Sequence, residues 1–265
     1  MERREVRRVA GWSFPRRMVR FYPVWQWLVL VPAAVLLTLV AAPVAIGCCL
    51  AGAQRFANLQ IAARWARIIA WLTPLEIEIE GLERIEAGQS YVVVANHLSQ
   101  YDIPVIYGFI GLDLRWVIKA EVLRIPLIAQ GCRAIGHIFI DRGRPEQARQ
   151  AINEAVARLS PGTGVLFFPE GTRSRSGRLL PFRKGAFRVA ADRRLPVLPV
   201  AVIGTREVLP PGSLRVRPVP VRMVIGEPIA SGDGPVDAEV VRLMREARHW
   251  IQSTLDASTV PRPEG

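Results

Sequence analysis

Residues 21–54 contain no charged side chain, and this stretch constrains the fold more than any other feature of the sequence. It spans 34 residues and is rich in Leu, Val and Ala. The apolar region of a signal peptide measures only about 7 to 15 residues, so we favour a retained membrane segment over a cleaved signal. One straight helix of this length would measure about 51 Å, beyond a hydrocarbon core of about 30 Å, whereas two full spans need about 40 residues.

Arginines lie on both sides of this uncharged stretch. They are Arg16, Arg17 and Arg20 before it, and Arg55, Arg64 and Arg67 after it. Positive charges next to membrane segments prefer the cytoplasmic side, and Pro32 and Pro43 give the stretch places to bend. We therefore favour a re-entrant hairpin that dips into one leaflet and returns, with a single span as the alternative.

Residues 56–72, FANLQIAARWARIIAWL, form the next candidate element. Their pattern is typical of an amphipathic helix at the membrane interface, with arginines near lipid phosphates and with Trp65 and Trp71 at the headgroup boundary. A core helix with one apolar face explains the same pattern equally well. Both interpretations predict a helix.

The charge of the chain indicates an anionic partner. The formal net charge is +12, and all but two of the 35 basic residues, Lys119 and Lys184, are arginine. Phospholipid headgroups, a phosphorylated substrate and nucleic acid all fit this charge. Aromatic residues do not interleave with a basic stripe, which argues against single-stranded nucleic acid. The three cysteines have neither metal-ligand nor disulfide spacing.

Strand and helix patterns alternate through the rest of the chain. Alternating or continuous apolar runs predict strands at 75–80, 91–95, 114–118, 137–140, 164–168, 197–203 and 221–225, and helices at 145–159 and 237–255. This order predicts an α/β fold with a mixed sheet flanked by helices, preceded by an N-terminal membrane-binding helical segment. We divide the chain into a basic N-terminal segment (1–20), a membrane anchor (21–72), a catalytic domain (73–257) and a flexible tail (258–265).

His97 and Asp102 follow the apolar run at 91–95, in the stretch NHLSQYD. On one regular helix, five residues turn through about 500°, which would place the two side chains roughly 140° apart. They can pair only if His97 lies in the loop after the strand and Asp102 in the first turn of the next helix. In the alternative interpretation, Ser99 and Asp102 are a capping box that merely starts this helix.

Two further polar segments also adjoin predicted strands. They are GHIFIDR at 136–142 and FPEGTRSRSG at 168–177. Strand ends in open α/β sheets are where ligands collect. Taken singly, Arg142 and Arg173 can be solvated surface charges, and residues 169–172 an ordinary tight turn. His137 lies four residues before Asp141 on one predicted strand, a separation of about 13 Å, so these two residues do not form a pair.

Together, these segments resemble the glycerolipid acyltransferase family, in particular its bacterial lysophosphatidate acyltransferases. The resemblance is carried by Asn96, His97 and Asp102, by residues 136–142, by residues 168–174 and by Leu198, Pro199 and Val200, and it extends to LPFRKGAF at 180–187. It covers roughly residues 75–230 and implies a glycerol-phosphate acyltransferase-like fold. Members of this family often carry an apolar membrane-binding segment ahead of the catalytic domain.

The resemblance implies transfer of a fatty acyl chain from a thioester to the sn-2 hydroxyl of lysophosphatidate, giving phosphatidate. His97 is then the general base, and Asp102 fixes its tautomer. Guanidinium groups bind phosphate through paired hydrogen bonds, which assigns Arg142 and Arg173 to the acceptor phosphate. The remaining predicted acceptor-loop residues are Glu170, Gly171 and Thr172, with Lys184 as a weaker candidate for the same phosphate.

The expected partners are an acyl donor, carried by acyl-carrier protein or coenzyme A, a lysophospholipid acceptor and membrane lipids, with no nucleic acid. No metal or organic cofactor is implied, because a thioester is already activated. We expect the protein at the cell inner membrane, with its catalytic domain on the cytoplasmic face. The alternatives are the same reaction on another acceptor (glycerol phosphate, another lysophospholipid or a lyso-ornithine lipid) and a non-catalytic protein that binds anionic lipid.

Overall fold

The computed structural model describes residues 6–9, 21–141 and 143–259, and these form a mixed sheet flanked by helices. The strands are β1 (Val6–Val9), β2 (Ile77–Glu80), β3 (Val92–Ala95), β4 (Asp113–Lys119), β5 (Ile138–Ile140), β6 (Thr163–Phe167), β7 (Val197–Ile203) and β8 (Val221–Ile225). The helices are α1 (Tyr22–Trp25), α2 (Val31–Leu50), α3 (Gln54–Phe56), α4 (Ala63–Leu72), α5 (Asp102–Phe109), α6 (Ile128–Ile135), α7 (Pro145–Ala157), α8 (Gly185–Arg193), α9 (Thr205–Val208) and α10 (Val236–Thr259).

The sheet has the strand order β1-β2-β8-β7-β3-β6-β4-β5. Strands β3 to β7 are parallel to their neighbours among themselves, β8 is antiparallel to β7, and β1 is antiparallel to β2. The predicted α/β fold with a mixed sheet is therefore confirmed. The parallel strands all end at one edge of the sheet, so the loops after β3, β5, β6 and β7 meet there.

Each face of the sheet is covered by a different set of helices. On β3, Val93 and Ala95 face the core that includes α4 and α5, whereas Val92 and Val94 face the core of α7, α8 and α10. Successive strand residues point to opposite faces, and both faces of this central strand are apolar. This explains why the sequence shows a continuous run at 91–95 instead of an alternation.

The uncharged stretch folds as the first arm of a helical hairpin. Helix α1, a π-helical turn (Gln26–Leu30) and α2 form one continuous helix, Tyr22–Leu50, of 29 residues. Within the described part of the chain, this is the one helix long and apolar enough to cross a membrane. The chain turns at residues 51–53 and returns through α3, a second π-helical turn (Ala57–Ala62) and α4.

The return arm is helical, as both interpretations of residues 56–72 predict. Ala63, Ala66 and Ala70 are buried, and α4 packs against α5 as a core helix does. Its other face exposes Ile68 and Trp71, as an interfacial helix does. Small side chains on the buried face let the two helices approach closely.

Both ends of the hairpin are connected to neighbouring strands. Residues 6–9, which we assigned to the basic N-terminal segment, form β1 and pair with β2, Val6 opposite Glu80 and Val9 opposite Ile77. The chain therefore leaves the sheet after β1 and re-enters it at β2. The short strand β1 was missed because VRRV has no run of apolar residues.

Each π-helical turn of the hairpin buries one amide side chain against the rest of the fold. Gln26 donates to the carbonyl oxygen of Leu214 and accepts the N–H of Val216. Asn58 donates to the Asp113 carboxylate and accepts the hydroxyl of Tyr107. Extra residues in a helical turn redirect side chains, and here they aim two polar groups at buried partners.

We predict that Asn58→Leu destabilises the fold. The substitution leaves the Tyr107 hydroxyl without its acceptor, which costs about 1–3 kcal/mol and lowers the melting temperature by roughly 2–10 °C. Thermal unfolding of the purified protein in detergent measures this change. Gln60→Ala is the matched control, because Gln60 lies in the same turn and its side chain makes no hydrogen bond to the described residues. Equal melting temperatures for the two variants would show that the hydrogen bonds of Asn58 do not stabilise the fold.

Candidate active site

The carboxyl end of β3 carries a histidine–aspartate pair. His97 lies in the loop after the strand and Asp102 is the first residue of α5, as the spacing predicts. The Nδ1 atom of His97 lies 2.8 Å from Oδ2 of Asp102. The His97 side chain is 17% exposed and that of Asp102 is fully buried. The loop therefore folds the imidazole over the carboxylate and leaves Nε2 as the ring nitrogen that is not in this hydrogen bond.

Asp102 is held by four hydrogen-bond donors. Its Oδ2 accepts His97 Nδ1 and the backbone N–H groups of Leu98 and Ser99, the latter two at 2.8 and 2.9 Å. Its Oδ1 accepts the hydroxyl of Thr205, which begins α9 after β7. A buried carboxylate is tolerated only when donors surround it. The N-cap of α5 is Tyr101 and has no side-chain cap, so the bond from Ser99 fixes the loop and the predicted capping box does not form.

The neighbouring side chains anchor this loop to β7 and to the segment after it. Asn96 donates to the carbonyl oxygen of Val202 and accepts the N–H of the same residue, both at 2.8 Å. The hydroxyl of Ser99 donates to the carbonyl oxygen of Leu209 at 2.8 Å. The backbone on both sides of His97 is thus fixed by buried hydrogen bonds.

Glu170 joins the second polar loop to the first. Its Oε1 accepts the N–H of His97 at 2.6 Å and its Oε2 accepts the N–H of Leu180 at 2.8 Å. In addition, the N–H of Ser174 donates to the carbonyl oxygen of His97 at 2.9 Å. Burial raises the pKa of Glu170 to about 7, and the two N–H bonds oppose this shift.

Phe168 forms one wall of the site. Its ring stacks on the imidazole of His97, with centroids 3.9 Å apart and an interplanar angle of 14°. Phe168 also lines a cavity of about 350 Å³ between β4, β5 and β6 and helices α7 and α8. The cavity therefore begins one ring away from His97.

The cavity next to Phe168 has an apolar floor and basic side chains on its rim. Ile140, Ile152 and Phe167 contribute to the floor, and the basic residues are Arg149, Arg183, Lys184 and Arg188. Arg149 pairs with Glu146, and Arg188 with Asp237. Within the described ranges, Arg183 and Lys184 have no acidic partner. The basic rim suits a phosphate group, and the apolar floor suits an apolar chain attached to it.

Known proteins are similar to this chain in sequence. The acyltransferase family model matches residues 76–203. A 1-acyl-sn-glycerol-3-phosphate acyltransferase of Pseudomonas aeruginosa is 30% identical over 201 residues, which cover 74% of this chain and 76% of that protein. This chain belongs to the 1-acyl-sn-glycerol-3-phosphate acyltransferase family.

Two other members of the family show how much of this chain is similar in sequence and in fold. The 1-acyl-sn-glycerol-3-phosphate acyltransferase of Limnanthes douglasii is 36% identical over 171 residues, 64% of this chain, but the match spans only 60% of that relative's length. The crystal structure of the 1-acyl-sn-glycerophosphate acyltransferase PlsC from Thermotoga maritima superposes with a TM-score of 0.71 at 26% identity, covering 89% of this chain and all of that one. The fold resemblance thus extends beyond the catalytic core.

The sequence predicted several residues that bind the acceptor. The structure places them in different parts of the site. Gly171 and Lys184 line the cavity, whereas Glu170 is buried between the two loops. Arg173 is half-buried in the loop just before Ser174 and makes no hydrogen bond or ion pair to the described residues. Thr172 is exposed in the same loop. Arg142 lies outside the described residues.

The glycine of this loop has a steric role that we did not predict. Gly171 has a φ of +74°, and a Cβ atom there would lie 2.7 Å from Nε of Arg183. Its N–H donates to the carbonyl oxygen of Phe168 at 3.0 Å, so that this amide already has an acceptor. Glycine is therefore needed for the turn and for the close approach of Arg183.

Three residues of the site were not predicted from the sequence: Thr205, Phe168 and Arg183. The position of Thr205 directly after the strand at 197–203 was a usable signal, because polar residues at the ends of parallel strands meet. No signal predicted the stacking of Phe168. His137, in contrast, is buried beneath β4, where burial lowers its pKa to about 3, and it accepts the N–H of Trp116. It is neutral and structural.

The raised pKa of Glu170 predicts a pH dependence of stability. A carboxyl whose folded pKa exceeds its unfolded value stabilises the fold fully below pH 4.5, and this stabilisation is lost as the pH rises to about 7. The unfolding free energy of wild type relative to Glu170→Gln should fall by at most about 3 kcal/mol over that window and then stay constant. Thermal unfolding at a series of pH values measures it. An increase with pH would mean that the two N–H bonds dominate.

Proposed function

We propose that the protein is a lysophosphatidate acyltransferase that transfers a fatty acyl chain from a thioester to the sn-2 hydroxyl of its acceptor, giving phosphatidate in phospholipid synthesis. One observation carries this proposal: Nδ1 of His97 is bonded to a buried carboxylate, and its imidazole stacks on Phe168, which lines the cavity. This is the arrangement that a general base requires. The names of the relatives supply the acceptor.

The reaction follows from the position of His97. Its Nε2 removes the proton of the acceptor hydroxyl as the oxygen attacks the thioester carbonyl, and Asp102 stabilises the imidazolium that forms. The tetrahedral intermediate then collapses, the carbon–sulfur bond breaks, and the imidazolium returns the proton to the leaving thiolate. The acceptor attacks directly, so no side chain of the protein is acylated. The donor is acyl-carrier protein or coenzyme A carrying the acyl chain.

The acceptor phosphate is bound by the basic residues near the cavity. Arg173 and Lys184 have no acidic partner within the described ranges, which leaves their charges available to a ligand. Arg142 joins them in this proposal on its sequence position alone. Arg183, held against Gly171, adds a further guanidinium to the rim. Glu170 and Thr172 order the loop that carries Arg173.

The hairpin attaches the enzyme to one leaflet of the inner membrane, with the catalytic domain on the cytoplasmic face. The pairing of β1 with β2 supports a re-entrant path, because both ends of the hairpin belong to the same sheet. The exposed face of the first arm is apolar and includes Leu28, Leu36 and Val40. A single span would separate β1 from β2 by the membrane and break four residue pairs of the sheet.

We predict that His97→Ala lowers kcat by at least about 10²-fold, because the attack loses its base. The variant should stay folded and keep the membrane recovery of wild type, although its melting temperature falls because Asp102 loses one of its four donors. Thiol release from an acyl thioester in the presence of lysophosphatidate measures turnover. Activity within a few fold of wild type would contradict the role of His97.

Arg173→Lys tests the phosphate contact. Lysine keeps the charge but lacks the planar two-point geometry, and loss of one charge-assisted bond of about 1.5–3 kcal/mol raises the acceptor KM roughly 10- to 150-fold. The donor KM should stay constant. Monoacylglycerol, which lacks the phosphate, is the control acceptor and should lose little further activity. Equal losses on both acceptors would show that Arg173 supports the loop instead.

Cysteine labelling tests the hairpin. Cysteines introduced at Arg16 and Arg64, in a background without the native cysteines, should react with a membrane-impermeant maleimide from the same side of sealed vesicles. Both flanks of a re-entrant hairpin stay on one side, so that the two positions label together. Labelling from opposite sides would establish a single span.

A further inference from the structure

The loop between α9 and β8 exposes one large apolar side chain. Residues 209–220 read LPPGSLRVRPVP, and four prolines limit the freedom of this segment. Leu214 is 75% exposed, while Val216 points inward and is buried. Arg215 and Arg217, on either side of Val216, are exposed, and neither side chain makes a hydrogen bond or ion pair to the described residues. The tip of the loop thus presents a leucine beside two available guanidinium groups.

The loop is fixed to the start of the membrane hairpin. The amide of Gln26, which is 3% exposed, donates to the carbonyl oxygen of Leu214 at 2.5 Å and accepts the N–H of Val216 at 2.9 Å. Phe21, Val24, Trp27 and Leu28, around the same end of the helix, are largely exposed. The exposed leucine is therefore held next to an exposed apolar and aromatic helix end.

The loop is also connected to the catalytic pair. The carbonyl oxygen of Leu209 accepts the hydroxyl of Ser99, and the N–H of Arg217 donates to the carbonyl oxygen of Val208. Helix α9, directly before the loop, begins with Thr205, which donates to Asp102. A short chain of hydrogen bonds thus joins the loop tip to the residues that orient His97.

We propose that residues 213–217 are a second membrane contact, in which Leu214 enters the headgroup–acyl boundary and Arg215 and Arg217 bind lipid phosphates. An exposed apolar side chain followed by cations suits the interface of an anionic bilayer. The neighbouring helix end, with Trp27, has the composition of an interfacial belt. The proposal rests on the membrane-bound function above. It adds the orientation of the protein relative to the membrane. With the loop and the helix end both at the interface, the edge of the sheet that carries His97 faces the lipid.

The contact can be measured by fluorescence quenching. Leu214→Cys, in a background with alanine at the three native cysteines, is labelled with an environment-sensitive dye and reconstituted into phosphatidylcholine–phosphatidylglycerol vesicles. Val241→Cys is the control, because Val241 is also exposed but lies on α10, which packs with α8 on the far face of the sheet. Brominated lipids should quench the dye at 214 and not at 241, whereas iodide in the water should do the reverse.

Two results would overturn the proposal. Equal iodide quenching at both positions would show that the loop stays in water. Shielding of position 214 from iodide without quenching by brominated lipid would mean that another protein covers it.

Activity gives an independent test. Leu214→Ser and the double variant Arg215→Ala/Arg217→Ala should raise the apparent KM several-fold for long-chain lysophosphatidate presented in vesicles. Activity on a short-chain, water-soluble lysophosphatidate should not change, because that acceptor needs no docking of the enzyme. Val241→Ser is the control. Equal losses on both acceptors would mean that the loop supports the site and does not dock it. A wild type inactive on both acceptors would refute the proposed function, while the quenching result would still decide the membrane contact.

Discussion

The site depends on the buried carboxylate of Asp102. Its four donors come from two places in the sequence: the loop after β3 and the start of α9 after β7. Removal of any donor leaves part of a buried charge unpaired, which is costly. The carboxylate therefore holds two strand ends together and sets the imidazole in one orientation. Glu170 is a second buried carboxyl group that joins two loops, because it connects the loop after β6 to the backbone of His97.

The N-terminal helical hairpin is joined to the rest of the fold by polar groups as well as by apolar packing. Gln26 and Asn58 are buried in the two π-helical turns, and each forms hydrogen bonds to residues far away in the sequence. A lipid environment offers no partner for such amides, so they specify which faces of the hairpin meet protein. The remaining face of the first arm is apolar and exposed, whereas that of the return arm also exposes Arg64 and Arg67.

Several strands were predicted well because burial on both faces leaves a strong pattern. Those at 197–203 and 221–225 match the structure, and that at 91–95 begins one residue later in the structure. Helix α6 and strand β1 were not predicted. For α6, the sequence IAQGCRAI contains a glycine and no run of strong helix formers. For β1, the pairing partner lies about 70 residues away, and local pattern carries no information on such pairing.

The sequence by itself determined the apolar N-terminal helix, the α/β order and the pairing of His97 with Asp102. Each of these follows from local composition, periodicity or spacing, which act within a few turns of chain. Only the tertiary structure decided that Thr205 completes the carboxylate, that Phe168 stacks on the imidazole and that Arg183 rests against Gly171. It also decided that both ends of the hairpin return to one sheet. These contacts join distant segments, and the parallel strands bring them together because every such strand ends at the same edge.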